Sequence, residues 1–282
     1  LAGPLRGIDA MTLLIRAALA FLALAPFAPA CAETPPGKPY APVAARYDRA
    51  AEDDADLRTL IAVLRAAAKG QDTASFEATI SPAFVALDCP ANPLTACGPG
   101  KAKMVGGKTV GGKTGKPLDR MRLAFCCEGK PSPDMPQAAQ DETMFAILQA
   151  TLAAATLGTN PDARGQVCAP ALPAFDRAKA AKVARAAGAE PENLRVSPTD
   201  IALRPRPTRT AAPVATLGAG ELAPIVTDLT ADTPPGWTAI GLPDGSVGYT
   251  DALGLDELTP AAICFAREKG QWRIVSTIQR GA

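Results

Sequence analysis

The stretch ICFAREKGQWRIVS, residues 263–276, predicts a β-hairpin near the end of the chain. Apolar residues occupy both arms, and Glu268–Gln271 between them has the polar, glycine-containing composition of a tight turn. Immediately upstream, residues 194–258 hold short β-like runs separated by proline and glycine. This spacing predicts a small β-barrel.

Upstream of Leu194 the apolar residues recur at helical spacing instead. A first helix is predicted from a cap at Asp53 or Asp54 to Gly70, a short one over 74–80, and two more over 140–157 and 174–187. Residues 84–87 and 123–127 are predicted strands. The predicted fold class is therefore α+β, with a helical cysteine-containing module at 53–193, the barrel at 194–258 and a closing hairpin at 259–282. Whether the hairpin packs on the helical module stays open.

The first part of the chain has the pattern of a secretory signal. Met11 and a single positive charge at Arg16 precede an apolar run at 17–25, and small residues follow at 28–32. The apolar run is shorter than the about 20 residues that a membrane span needs. We expect residues 1–32 to be leader and signal peptide, with 1–10 upstream of the natural start, and the proline-rich residues 33–52 to be an extended linker.

Two kinds of processing fit the end of this signal. Small residues at 30 and 32 predict cleavage before Glu33, which we favour. The alternative is lipidation of Cys31, as in a bacterial lipoprotein. Neither alternative places a helix across a membrane.

Charge and composition exclude several classes of function. Removing Arg6, Arg16 and Asp9 with the leader leaves 27 basic and 27 acidic residues, so we expect no nucleic-acid partner. The chain has no histidine, which excludes Ser-His-Asp and Cys-His catalysis and the HExxH metalloproteases. We expect no cofactor and no membrane span.

Six cysteines besides Cys31 predict disulfides, because an even number in an exported chain is typical of a disulfide framework. Cys89 and Cys97 are close enough in sequence to close a local loop. The predicted strand turns Cys126 and Cys127 to opposite faces, so we expect both to bond to Cys168 and Cys264, in an order left open. A zinc site is disfavoured because neither CxxC spacing nor histidine is present.

Residues 107–114 match the phosphate-loop pattern GxxxxGKT. We interpret the match as a tandem duplication, because 105–109 and 110–114 are the same five residues. No strand core precedes it, and Pro117 is expected to prevent the helix that a phosphate loop requires. We expect no ATP binding. The surrounding lysine-rich loop is predicted to be solvated, with contact to anionic envelope polymers or lipid headgroups as the alternative.

An acidic cluster stands at the start of the first helix: Glu52, Asp53, Asp54 and Asp56. Carboxylates there cap free N–H groups and offset the helix dipole. We interpret the cluster as structural rather than as a catalytic pair.

The β-rich part resembles a bacterial SH3 domain over about residues 196–258. Five elements occur in order: LRPRP at 203–207, VATLGAG at 214–220, GWTAI at 236–240, LPDGSVGY at 242–249, and Leu253. The chain departs from the family pattern in having Tyr249 where the family has tryptophan, and in an insertion at 230–235. The resemblance implies an SH3-like barrel and an association with cell-wall proteins.

Within that barrel the candidate ligand contacts are Arg204, Trp237 and Tyr249, since arginine and aromatic residues dominate binding hot spots. The alternative for Trp237 is a place in the barrel core. The helical part resembles a nuclear-transport-factor-2-like domain through AKGQD at 68–72 and GQWRI at 270–274.

Together these patterns predict an exported, periplasmic or secreted protein that binds cell-wall material or an envelope protein, with no catalysis evident. Two alternatives remain. One is a histidine-free cell-wall hydrolase that uses a Glu/Asp pair. The other is a structural lipoprotein anchored at Cys31.

Export yields the first testable prediction. In fractionated cells the protein should be found outside the cytoplasm with Glu33 as its first residue, because the signal is removed after Ala32. Intact-mass measurement separates this outcome from a lipidated Cys31. A full-length cytoplasmic product would contradict both the signal and the disulfide argument.

Overall fold

The computed structural model describes residues 37–97, 103–104, 116–126, 134–153, 156–227, 233–251 and 254–280. The expected signal with Cys31, the phosphate-loop match at 107–114 and Cys127 lie outside the described residues. Everything described belongs to one compact unit, Pro36–Ala282. The fold is a mixed α/β structure, and two disulfides lie wholly within the described residues.

The secondary structure alternates short strands with five described helices. The helices are α1 (Ala55–Gly70), α2 (Thr73–Glu77), α3 (Pro117–Cys126), α4 (Gln137–Ala153) and α5 (Arg177–Ala187). The first eight strands are β1 (Ala45–Arg46), β2 (Ile80–Cys89), β3 (Lys103–Met104), β4 (Gly158–Thr159), β5 (Val167–Ala169), β6 (Ala174–Phe175), β7 (Leu194–Val196) and β8 (Ile201–Leu203). The others are β9 (Ala215–Leu217), β10 (Leu222–Pro224), β11 (Thr238–Gly241), β12 (Val247–Thr250), β13 (Asp256–Glu257), β14 (Ala262–Glu268) and β15 (Gln271–Arg280).

The closing hairpin, β14 and β15, lies in the middle of the largest sheet. This sheet has six strands in the order β3-β2-β15-β14-β5-β4. β15 pairs with β2 in parallel, and the other neighbours are antiparallel. The hairpin turn has positive φ at Lys269 (50°) and Gly270 (84°), the conformation that two-residue hairpin turns favour.

One face of this sheet carries the main core. Alternate residues of β2, β5 and β14 pack on α1, α3 and α4, and α2 contributes Phe76, whose ring meets Phe145 of α4 edge-on at 5.8 Å. Fully buried leucines on α1 and α4 recur at helical spacing, as predicted for both helices. The sheet contributes eight buried residues to this core: Ile80, Phe84, Ala86, Val167, Ala169, Ile263, Phe265 and Ile274.

The opposite face of the same sheet carries the disulfides. Cys168 on β5 and Cys264 on β14 are direct partners in the strand register, and they form a disulfide with 4.0 Å between their Cα atoms. Cys89 at the end of β2 bonds to Cys97, as the spacing predicted. All four cysteines are buried among leucine, isoleucine and alanine side chains. The two faces therefore follow from the alternation of side chains along the strands.

The disulfide scheme for the remaining cysteines is wrong. Because Cys168 and Cys264 bond to each other, neither is available to Cys126 or Cys127. Cys126 is itself disulfide-bonded. The error follows from the strand assumed at 123–127, which gave Cys126 and Cys127 separate partners, whereas residues 168 and 264 become neighbours when β14 joins β5.

The strand predicted at 123–127 is also wrong, because Leu123–Cys126 belong to helix α3. Leu118, Met121 and Phe125 are buried at helical spacing, and a short apolar run does not by itself distinguish a strand from a helix.

Pro117 begins this helix instead of preventing it, since its missing N–H is tolerated in the first turn. One of the two arguments against the phosphate loop therefore fails. The other stands: β3 before the loop is a two-residue edge strand.

Two further helices differ slightly from their predicted bounds. α4 ends at Ala153, and Gly158 belongs to β4 rather than to a helix end. α5 begins after Asp176, whose side chain accepts from the Lys179 N–H at 3.0 Å, and it ends at Gly188 in the left-handed conformation. The buried side of α5 packs on β7 and β10 through Val183, Leu194 and Leu222.

Short antiparallel strands recur through the described parts of 194–258, as the proline and glycine residues between the β-like runs predicted. They form the sheets β10-β7-β13, β11-β12 and β8-β9, and single bridges join Arg204 to Tyr249 and Ile225 to Ile240. Beneath them lies a small core of Leu203, Leu217, Ala223, Ile240 and Leu242. Among the described residues the pairings do not close a barrel.

The segment Gly37–Tyr47 is extended, but it is packed rather than free. Val43 and Ala45 are buried, and they pair by backbone hydrogen bonds with Leu222 and Gly220. The Tyr40 hydroxyl donates to the Gly241 carbonyl at 2.6 Å, and burial raises the pKa of this tyrosine above its usual range. We call this segment the strap. The strap lies within the extended linker predicted at 33–52, and Val43, Ala45 and Tyr40 pack it on the β-rich part.

The disulfide between β5 and β14 yields a stability prediction. Cys264→Ser should lower the free energy of unfolding by about 4–5 kcal/mol in the chain-entropy model, because the bond closes a loop with a sequence separation of 96. That corresponds to a melting temperature lower by roughly 10–20 °C. Cys89→Ser, which opens a loop with a sequence separation of 8, should lower the free energy of unfolding by about 2.5 kcal/mol.

The matched control is Cys168→Ser, which breaks the same bond and should give the same decrease in melting temperature. Peptide mapping of Cys264→Ser under non-reducing conditions should find its new free thiol at Cys168. A new free thiol at Cys126 would contradict the pairing.

Candidate functional site

Two of the three predicted contact residues are direct neighbours on paired strands. The Arg204 N–H donates to the Tyr249 carbonyl at 2.9 Å, and the Tyr249 N–H donates back to the Arg204 carbonyl at 2.8 Å. Residues opposed in this way project side chains to the same face of a sheet. Both side chains are half-buried, so each keeps part of its surface for contact.

Trp237 lies just before the same hairpin. Tyr249 is paired with Ala239 of β11, and Trp237 precedes the first residue of this strand, where its N–H donates to the Pro234 carbonyl at 3.1 Å and closes a turn. Trp237 is half-buried and is not one of the buried residues of the core beneath these strands. We call Arg204, Tyr249 and Trp237 the contact face. Sequence resemblance suggested the three residues, and strand pairing places Arg204 and Tyr249 on one face.

A cavity of about 460 Å³ lies beside the contact face. It is formed by the hairpin loop between β8 and β9, with Pro205, Thr210 and Val214 among its lining residues. The Arg204 guanidinium donates to the Ala211 carbonyl of the same loop and so ties the contact face to the cavity wall. Cavities of a few hundred cubic ångströms are typical of small-ligand sites.

The loop that forms this cavity is cationic. Arg209 pairs with Asp251 at 3.0 Å, and Arg204 donates to a backbone carbonyl. Arg206 is exposed, lines the cavity and has no carboxylate partner within the described part of the chain. Sequence reasoning missed Arg206 because it is one of several arginines in a proline-rich run, and only the folded loop distinguishes the arginine that lines the cavity.

The acidic cluster at the start of α1 is built into the fold. The Asp54 carboxylate accepts from the Leu57 N–H at 3.0 Å, and Arg267 of β14 binds Asp54 at 2.9 Å and Asp56 at 3.1 Å. The Arg267 guanidinium also lies 5.1 Å from the centre of the Trp272 ring. The cluster therefore joins the first helix to the closing hairpin.

Electrostatics agree with a structural role for Asp54. The Leu57 N–H and the Arg267 guanidinium lower the pKa of Asp54 to about 2, so its carboxylate is ionised at neutral pH. A general acid needs a raised pKa instead. In the regions that the structure describes, no group of three or more acidic or cysteine side chains is arranged to hold a metal ion.

None of the described helices is long and apolar enough to cross a membrane. Compared with protein-family models, with curated proteins and with solved structures, the chain has no match. The geometry of the contact face and of the cavity is therefore the basis for a functional proposal.

The capping role of Asp54 yields a pH prediction. Asp54→Ala should lower the free energy of unfolding by about 1 kcal/mol at pH 7, the usual cost of losing an N-cap. A carboxyl group whose pKa is lowered by folding stabilises above its unfolded pKa, near 4, and loses this contribution as the pH falls toward its folded value of about 2. In denaturant titrations, the difference in the free energy of unfolding between Asp54→Ala and the wild type should therefore shrink as the pH falls from 4 to 2.

Asp53→Ala is the matched control, because Asp53 is exposed and the neighbouring Asp54 makes the capping bond. Its stability should follow the wild type at every pH. A deficit of Asp54→Ala that stays constant down to pH 2 would contradict the role of the charge.

Proposed function

We propose that this protein is an exported binding or interaction protein of the cell envelope, located in the periplasm or secreted, and that it binds through the contact face. The observation that carries the proposal is the reciprocal backbone pairing of Arg204 and Tyr249 beside an open cavity. An arginine and aromatic rings next to a concavity are the features that dominate binding hot spots.

The bacterial SH3-like interpretation of residues 196–258 is part of this proposal. Its support is the order of the five sequence elements together with a succession of short antiparallel strands over a small core. The nuclear-transport-factor-2-like interpretation of the helical part is likewise proposed. Export is supported by the signal-like residues 11–32 and by two disulfides of the kind that persist in oxidising compartments.

The other two functions have less support. A hydrolase with a Glu/Asp pair would need a free acidic pair, and two carboxylates of the only acidic cluster that the sequence suggested are bound by Arg267. A structural lipoprotein anchored at Cys31 differs from the first proposal in its processing and in having a structural rather than a binding role. The partner that we propose is cell-wall material or an envelope protein.

The test is a sedimentation assay of the purified mature protein with isolated cell-wall material, followed by analysis of the supernatant for released products. The wild type should sediment without releasing products. Trp237→Ala and Tyr249→Ala should each weaken binding by about 10- to 30-fold, the loss typical of a hot-spot residue.

Val63→Ala is the control, because Val63 is an exposed apolar residue on α1 and lies outside the contact face. It should bind like the wild type. Soluble products released by the wild type would favour the hydrolase, and unchanged binding by both aromatic variants would remove the contact face from the proposal.

A further inference from the structure

The cavity in the β8-β9 loop has one cationic wall. Arg206 lies on it without an acidic partner among the described residues, and the nearest acid–base pair on this loop, Arg209 with Asp251, is already formed. An unpaired guanidinium presents several N–H donors in a planar fork that fits a carboxylate. The charge of the cavity thus favours an anionic group.

Two hydroxyl groups add to the same site. Thr208 and Thr210 both line the cavity, and their Oγ1 atoms are 3.0 Å apart. Each hydroxyl carries one proton, and the bond between the two uses only one of them, which leaves one proton to donate to a ligand oxygen. Together with Arg206, this gives the anion both charge and a neutral hydrogen bond.

The remaining wall is apolar. Pro205, Pro213 and Val214 line it, and Val214 is 58 % exposed, one of two large apolar residues exposed among the described residues. A simple inorganic anion would leave this surface in water. A ligand that covers it must carry apolar groups beside its negative charge.

The strand next to the cavity has a free edge. β9 pairs with β8 on one side and with no other described strand. The backbone N–H and carbonyl of Arg204 point toward β12, so those of the neighbouring Leu203 point toward β9, where Leu203 is paired with Ala215. Because these groups alternate in direction along a strand, the N–H and carbonyl of the exposed Thr216 point away from β8. An extended peptide can pair with such an edge, whereas a sugar chain has no regular array of amides to do so.

We propose that this cavity binds an extended acidic peptide, with Arg206 holding a carboxylate and Val214 contacting a neighbouring apolar side chain. The inference deepens the proposed function and rests on it for the view that this surface meets a ligand. It names the class of ligand and adds Arg206 as the residue that selects for it.

The test uses the full mature protein and two labelled peptides with blocked ends, Ala-Val-Glu-Val-Ala and its neutral counterpart Ala-Val-Gln-Val-Ala. Fluorescence anisotropy should show that the glutamate peptide binds at least 5- to 10-fold more tightly. Arg206→Gln should abolish this preference, and Arg206→Lys should keep part of it because the charge remains while the fork is lost. Added salt should weaken the binding of the glutamate peptide more than the binding of the neutral peptide.

Arg58→Gln is the matched control, since Arg58 is an exposed arginine on α1 far in sequence from the cavity. It should retain the full preference, and all variants should keep the wild-type melting temperature. A preference that survives Arg206→Gln, or no binding of the glutamate peptide at millimolar concentration, overturns the inference. Displacement of the peptide by free glucuronate at equal concentration overturns the choice of a peptide over an acidic sugar.

These failures are distinguishable from failure of the proposed function. If cell-wall sedimentation depends on Trp237 and Tyr249 while Arg206→Gln changes nothing, the envelope function stands and only the cavity inference is lost. If the acidic peptide binds through Arg206 while the protein does not sediment with cell-wall material, the site stands and the proposed partner is lost.

Discussion

The structure depends on the insertion of β15 between β2 and β14. β2 and β15 pair in parallel although most of the chain separates them, and the hairpin partner of β15 pairs in turn with β5. Parallel neighbours require a long connection, and here that connection includes α3, α4, α5 and the β-rich part. Without β14 and β15, the short strands β4 and β5 would have no sheet to join and α1, α3 and α4 no continuous surface to cover.

The side chains of this central sheet divide the molecule into two regions with different chemistry. The helix-facing residues are aliphatic or aromatic, and they form a core of the usual kind. The opposite face carries the two described disulfides, of which Cys168–Cys264 crosslinks β5 to β14 and Cys89–Cys97 joins the end of β2 to the loop that follows it. Arg267 binds the start of α1 from the tip of the hairpin, so the same two strands also position the first helix.

The β-rich part depends on its neighbours in the same way. The strap supplies Val43 and Ala45 to one side, and α5 covers β7 and β10. Gly245 shows how closely the strap approaches, because a Cβ at this residue would lie 2.3 Å from the Gly37 carbonyl oxygen, and its φ is +89°. These contacts hold one side of the β-rich part, while the contact face and the cavity lie at β8, β11 and β12, where arginine and aromatic side chains keep exposed surface.

The sequence by itself determined much of the local structure: a capped start of the first helix at Asp53 or Asp54, the hairpin turn at Glu268–Gln271 and the local Cys89–Cys97 bond. These depend on contacts between residues close in the chain, where conformational preference and spacing decide the outcome. It also suggested Arg204, Trp237 and Tyr249 as contacts.

Only the tertiary structure decided the rest. Helix α3 formed from an apolar run that is equally compatible with a strand, because its burial against β2 and α4 selects the helical period. The partner of Cys168, the place of the strap and the cavity beside Arg206 all depend on which distant strands become neighbours. Strand register sets those distances, and no local pattern encodes a pairing between residues nearly a hundred positions apart.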